Sequence, residues 1–115
     1  MIYDLEERTA VFGENIILFC KKINRNDITR SLINQLVRSA TSIGANYMEA
    51  NEACSNRDFL NKIRISLKES NETKHWLRMM AKADESNIVK CRELWQKAHE
   101  ITLIFAKIAK NKLKN

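Results

Sequence analysis

The residues in this chain with the strongest outward claim to chemistry are Glu72-x-x-His75 and Gln96-x-x-His99. Two Glu-x-x-His pairs on facing helices are how di-iron bundles present their ligands, because positions three apart share one helix face. The first pair qualifies. The second carries an amide where a carboxylate is required. All four side chains are also predicted to point away from the apolar stripes described below, so neither a metal nor any other cofactor is expected. Glu49 and Glu69 could face each other as a carboxylate pair, but pairing with Arg38 and similar neighbours is the simpler reading. No glycine-rich phosphate loop, nucleophile elbow or Walker sequence occurs, and no Ser-His-Asp grouping can be argued from spacing. The chain reads as a non-enzyme with no small-molecule substrate.

Cys20, Cys54 and Cys91 are an odd number, widely separated, with no C-x-x-C pair. Such cysteines suit a reducing compartment, where each serves as a small apolar residue. The acidic N-terminus has no basic start and apolar run of a signal peptide. The longest uncharged stretch, Ser39 to Met48, is too short and too polar to cross a bilayer. A cytoplasmic location without membrane association is the expectation.

The 115 residues suffice for one domain spanning 1–115, and the absence of proline with only two glycines argues against a turn-rich β fold. The periodicity is helical throughout. Leu5, Thr9, Phe12, Ile16, Phe19 and Ile23 recur at steps of four and three, with Asp4 as a plausible N-cap. After the turn-formers Asn24 to Asp27, a second helix from about Ile28 to Ala53 aligns Leu32, Leu36, Ala40, Ile43, Tyr47 and Ala50. Ser55-Asn56-Arg57-Asp58 resembles a capping box for a third helix running to about Ala83, with Phe59, Ile63, Leu67, Ser70, Leu77 and Ala81 facing inward. The break Asp84 to Asn87 precedes a fourth helix carrying Leu94, Ala98, Ile101, Phe105 and Ile108. Four amphipathic helices with short connections predict an all-α, antiparallel up-down four-helix bundle.

Two features depart from a minimal bundle. Apolar side chains lie off the core stripes: Val11 and Leu18 on the first helix, Ile65, Trp76 and Met79 on the third, Leu103 and Ile104 on the fourth. Secondary apolar stripes point to a subunit interface, with Val11, Leu18, Trp76, Met79, Leu103 and Ile104 as its candidates. Conversely, Ser39, Asn46, Ser66, Ser70 and Thr73 occupy or border the inward stripes. Buried hydroxyls and amides need partners, so these predict a polar layer that fixes helix register, with Ser70 against the second helix near Asn46 or Ser39.

Charge is uneven along the chain. Residues 1–53 carry six Lys/Arg against seven Asp/Glu, and residues 54–115 carry fourteen against seven, within a net charge of +6. Candidate phosphate contacts are Arg57, Arg64 and Arg78, at multiples of seven on the third helix, and Lys107, Lys110, Lys112 and Lys114 at the end of the fourth. Lysines at a helix C-terminus also complement its dipole, and a basic surface can serve solubility alone. Single-strand binders use aromatic platforms, and Trp76 and Trp95 are the only tryptophans.

The segment from Gln35 to Ala50, QLVRSATSIGANYMEA, and the run from Phe59 to Leu77 that contains RISLKESNET resemble the two signatures of a bacterial four-helix-bundle family encoded by intervening sequences of 23S ribosomal RNA genes. The resemblance implies an up-down bundle assembling into a homopentameric ring, with no known enzymatic activity. A more distant relative is the accessory protein of diversity-generating retroelements, a basic pentamer that binds reverse transcriptase and nucleic acid. The family's motif positions fall on Arg38, Ser42, Asn46, Glu49, Ser70 and Glu72, adding to the polar layer. The acidic first half departs from the strongly basic retroelement relative. The combined expectation is an oligomeric, non-catalytic binder of RNA or of an RNA-binding protein. The alternative is a structural or interaction ring without nucleic-acid affinity.

Overall fold

A computed structural model describes the backbone of residues 2–114 and the side chains of residues 4–112. Its elements are α1 (Ile2–Lys21), α2 (Asp27–Asn51), α3 (Asn56–Ala83), a 3-10 turn (Glu85–Asn87) and α4 (Ile88–Lys114). They form the expected antiparallel four-helix bundle, 46 × 21 × 19 Å.

Local chemistry sets the breaks. Asn26 caps α2, its Oδ1 accepting from the Ile28 and Thr29 amides at 2.9 Å, while Thr29 Oγ1 accepts from the Asn26 amide at 2.9 Å. This reciprocal box satisfies backbone donors that a helix start leaves open. Ser55 Oγ accepts from the Asp58 amide at 3.1 Å, one arm of the box expected there. Asp84 accepts from Ser86 Oγ at 2.6 Å and Asn87 Nδ2 at 2.7 Å, which winds the 3-10 turn. These two bonds hold the Asp84 carboxyl below its usual range. Asp4 is not an N-cap, because α1 already begins at Ile2. It lies in the first turn, where a carboxylate still meets the positive end of the helix dipole.

The helices occupy the corners of a square in chain order, so α1 neighbours α2 and α4 but not α3. The core runs along the axis from Phe12, Ile16, Leu36, Ile43, Ile63, Leu77, Ile101 and Phe105. Tyr47 and Phe105 bridge the α2–α4 diagonal edge to face, with centroids 5.5 Å apart. Such a geometry contributes about 0.5–1.5 kcal/mol beyond area burial. Burial raises the pKa of the Tyr47 phenol. Cys20 and Cys91 are buried and Cys54 is exposed. Burial pushes the Cys20 and Cys91 thiols from 9.0 to about 11, so both are neutral core groups.

The polar layer is real but arranged differently from the expectation for Ser70. Ser66 Oγ donates to the Ile43 carbonyl at 2.9 Å and Thr73 Oγ1 lies 2.9 Å from Ser39 Oγ, tying α3 to α2. Ser70, however, meets α4: its hydroxyl lies 2.9 Å from Thr102 Oγ1 and donates to the Leu67 carbonyl at 2.8 Å. Thr73 and Thr102 also bond carbonyls one turn back, on Glu69 and Ala98, at 2.8 Å. Every buried hydroxyl named here is thereby satisfied.

Both glycines face the α1–α2 contact, but only Gly44 is required by the close approach. A Cβ at Gly44 would stand 3.1 Å from Thr9 Oγ1 and 3.4 Å from Thr9 Cβ, whereas one at Gly13 would meet Thr41 at an ordinary 3.6 Å. Thr9 is buried and its hydroxyl donates to the Glu6 carbonyl at 3.0 Å, so it cannot easily yield. Gly13→Ala should therefore stabilise the bundle by about 0.5–1 kcal/mol, the helical cost of glycine. Gly44→Ala should lose that gain or destabilise. Urea midpoints of the two variants check this, and equal stabilisation by both would show that α1 and α2 are not in close contact at Gly44.

Candidate nucleic-acid interface

The square arrangement gives the bundle four sides of different chemistry. The α3–α4 side is basic. Along α3, Arg57, Asn61, Arg64, Lys68, Asn71, His75, Arg78 and Lys82 recur at alternating steps of four and three, and every one is exposed. That spacing holds one outward stripe along the helix. It contains five cations and no acid, over about 38 Å at 1.5 Å per residue. The acids of α3 lie toward α2 instead, where Glu69 and Glu72 meet Arg38.

On α4, Arg92, Gln96 and Lys110 are exposed on the side adjoining α3, whereas exposed Lys107 is seven residues on from Glu100, the partner of Arg8 on α1. Between the two helices, Trp95 and His99 stack at 5.1 Å with ring planes 16° apart. Lys74 of α3 places its ammonium 5.4 Å from the Trp95 centroid and 3.1 Å from His99 Nδ1. Below this stack lies a cavity of about 220 Å³ with Leu77, Ala81 and Cys91 in its lining, Trp95 beside them, and one arginine from each helix, Arg78 and Arg92.

Of the cations expected to contact phosphate, Arg57, Arg64 and Arg78 share the α3 stripe, and Lys107 and Lys110 are exposed on α4. Lys112 is half-buried with its ammonium 5.2 Å from the Phe59 ring centroid, a contact between α4 and the start of α3. The Lys114 side chain lies outside those described. Sequence reasoning missed Lys68, Lys82, Arg92 and the Trp95–His99–Lys74 stack. The first two continue the three-four spacing of the arginines and were legible. The stack joins two helices and was not.

The expected interface residues divide among three sides. Val11 lines a cavity of about 420 Å³ between α1 and α4, beside Leu94, Lys97 and Ile101. Leu18 is seven residues on from Val11, and Ile104 seven on from Lys97, so all three edge the α1–α4 side. Trp76 and Met79 follow Glu69 and Glu72 by seven and edge the α2–α3 side, joined by exposed Ile65. Leu103, 57% exposed, stands apart on the basic side. Trp76 and Ile104 are half-buried and pack on the core as well.

The remaining polar positions form the rim of the α2–α3 contact. Arg38 donates through Nη1 to both Glu69 carboxylate oxygens at 3.2 and 3.3 Å, and through Nη2 to Glu72 at 2.7 Å. These bonds raise the Arg38 pKa, Glu72 contributing most. Glu49 pairs with Lys62 at 2.7 Å, so it does not face Glu69. Ser42 Oγ and Asn46 Nδ2 donate to carbonyls one turn back on α2. Glu72 is thus committed to Arg38, His99 to the tryptophan stack, and His75 to the edge of Trp76 at 4.9 Å. Among the described residues, no three His, Cys, Asp or Glu side chains group as metal ligands. No described helix is long and apolar enough to cross a membrane.

Residues 4–107 match the model of the 23S rRNA-intervening sequence protein family. The chain belongs to that family. Among solved structures, a protein of unknown function from the S23 ribosomal protein family of Bacteroides thetaiotaomicron is similar at 30% identity and a TM-score of 0.82. The similarity covers 92% of this chain and 98% of that one. No curated protein matches. Neither family description names a reaction.

Arg38 is the keystone of the α2–α3 rim. Its loss leaves Glu69, only 12% exposed at its side chain, facing α2 without a cation. Arg38→Ala should cost about 1–3 kcal/mol by urea denaturation. Adding Glu69→Gln should recover part of that cost. If the double variant is no more stable than Arg38→Ala, the unpaired carboxylate is not the origin of the loss.

Proposed function

We propose that this family member is a homo-oligomeric RNA-binding protein that holds phosphates on its α3–α4 side. The observation that carries this is the α3 stripe of five exposed cations without an acid. Each phosphate neutralised by such a stripe releases condensed counterions, a favourable term that needs no base sequence. The fourth helix widens the stripe with Arg92 and Lys110.

Oligomerisation fits the same four-sided layout. The two sides edged with apolar residues, α1–α4 and α2–α3, lie opposite one another on the square. A side that pairs with its opposite makes a head-to-tail contact, which closes into a ring when the rotation allows. Five copies is the number that the family resemblance implies. Such a ring repeats the basic side around its axis and multiplies weak phosphate contacts by avidity. A ring without nucleic-acid affinity is the second reading, favoured by the acids Glu6 and Glu14 on the α1–α2 side, which could receive a basic side of another copy.

Labelled single-stranded and hairpin RNA titrated at two salt concentrations tests the binding. Affinity should fall steeply with salt, with a slope of about 0.7–0.9 per phosphate contact. Arg64→Glu with Lys68→Glu should weaken binding more than about tenfold and flatten the slope, while reversal of Lys21 and Lys22 changes little. No binding at low salt selects the interaction ring.

Light scattering tests the assembly. Val11→Glu and Met79→Glu should each dissociate the ring while leaving the melting temperature nearly unchanged. Mixing the two variants should restore one contact and give heterodimers, because each retains the side the other has lost. Homodimers of either variant alone would contradict head-to-tail pairing.

A further inference from the structure

We infer that the groove between α3 and α4 at Trp95 is a seat for one unpaired nucleotide of an RNA strand, its base against the indole and its phosphate on Arg78 and Arg92. This rests on the reading of the α3–α4 side as the RNA surface and adds to it a place and a form of recognition. Three observations support it. First, Trp95 is 36% exposed, unusual for an indole next to the core, and it borders a cavity of about 220 Å³. That is smaller than the roughly 300–1,000 Å³ of sites for drug-sized ligands, and suits a single flat ring.

Second, the ring is held ready. His99 lies one turn toward the C-terminus of α4 from Trp95, while Cys91 and Arg92 of the cavity lie one turn toward its N-terminus. The indole therefore stands between an existing stack and an open groove. The His99 ring and the Lys74 ammonium brace it, so little side-chain freedom remains to be lost on binding.

Third, the polar groups are of one kind. The groove offers apolar Leu77, Ala81 and Cys91 beneath two guanidinium groups, and neither Arg78 nor Arg92 has an ion-pair partner among the described residues. An apolar slot flanked by free cations matches a base with its attached phosphate. Duplex RNA hides its base faces within the stack and cannot offer one to a recessed indole. No amide or carboxylate side chain lines the groove to read a base edge, so the seat takes any base.

Fluorescence of the Trp76→Phe variant, in which Trp95 is the sole tryptophan, provides the direct test. Trp76 Nε1 has no hydrogen-bond partner among the described residues, so phenylalanine there forfeits none of their bonds. Oligouridine should quench Trp95, and an abasic ribose-phosphate strand of equal length should bind without quenching. Trp95→Ala should weaken oligouridine binding about tenfold, within the range for one stacked base, and leave duplex and abasic affinities unchanged. If Trp95→Ala unfolds by circular dichroism, the quenching comparison decides alone. Binding of oligouridine without quenching, or equal weakening of duplex and oligouridine by Trp95→Ala, overturns the seat while leaving the phosphate surface intact. Uridine monophosphate saturating the quench as tightly as oligouridine overturns the assignment to an RNA strand. No binding of any RNA at low salt removes both the seat and the reading beneath it.

Discussion

The constraint on which this bundle depends is the close approach of α3 to two neighbours at once. Its inward stripe sets three hydroxyl residues, Ser66, Ser70 and Thr73, between apolar Ile63 on one side and Leu77 and Met80 on the other. Hydroxyl side chains are short, so the α3 backbone can come near α2 and α4 together. Each hydroxyl then has to find a partner or forfeit its hydration. Ser66 and Thr73 find theirs on α2, Ser70 on α4. These directional bonds set rotation and register in a way that Leu–Leu packing alone would leave looser. Once α3 is fixed about its axis, its outward stripe is fixed too. The placement of Lys74 and Arg78 beside Trp95 follows from serines and a threonine on the inward face.

The sequence was informative wherever one helix decided the outcome. Core stripes, the three breaks and the cap at Ser55 are all local patterns of periodicity and side-chain hydrogen bonding, and the cap of α2 fell within the predicted break, at Asn26. It was uninformative wherever two helices had to be placed together. Ser70 reads as inward from its own helix, but Leu77 and Ser70, seven apart, sit on the line between the neighbours. Nothing local says whether α2 or α4 supplies the partner, and Thr102 supplied it. Trp95, His99 and Lys74 are likewise unremarkable until α3 and α4 are side by side. Asp4 failed as a cap for a simpler reason: the helix already begins at Ile2, which puts Asp4 inside its first turn.

The four-sided layout also explains why the apolar residues outside the core are so dispersed in sequence. Val11 and Ile104 are far apart along the chain yet edge one side, and Ile65 and Met79 edge the opposite one. The proposed head-to-tail contact would give these two opposed edges a use; the α1–α2 side between them carries Glu6 and Glu14 together with exposed Ile17 and Met48. Arrangement by side, rather than by segment, is what a head-to-tail contact needs, since each copy must present two different complementary surfaces.

The basic stripe itself is hard to account for as a device of folding. Arg64 with Lys68, Lys74 with Arg78, and Arg78 with Lys82 are like charges four apart on one helix, each pair unfavourable by about 0.2–0.5 kcal/mol. The acids that could relieve them are engaged elsewhere: Glu69 and Glu72 bind Arg38, and Asp58 sits in the first turn. The lysines near the end of α4 have an ordinary explanation, because cations there complement the negative end of the dipole. Arg57 has none. It lies in the first turn of α3, at the positive end, where a cation is disfavoured. Solubility would be served as well by mixed charges, which would also stabilise the helix. A run of cations that costs the helix stability, begins at its wrong end and keeps acids off its path is what the proposed anionic partner, lying along it, would account for.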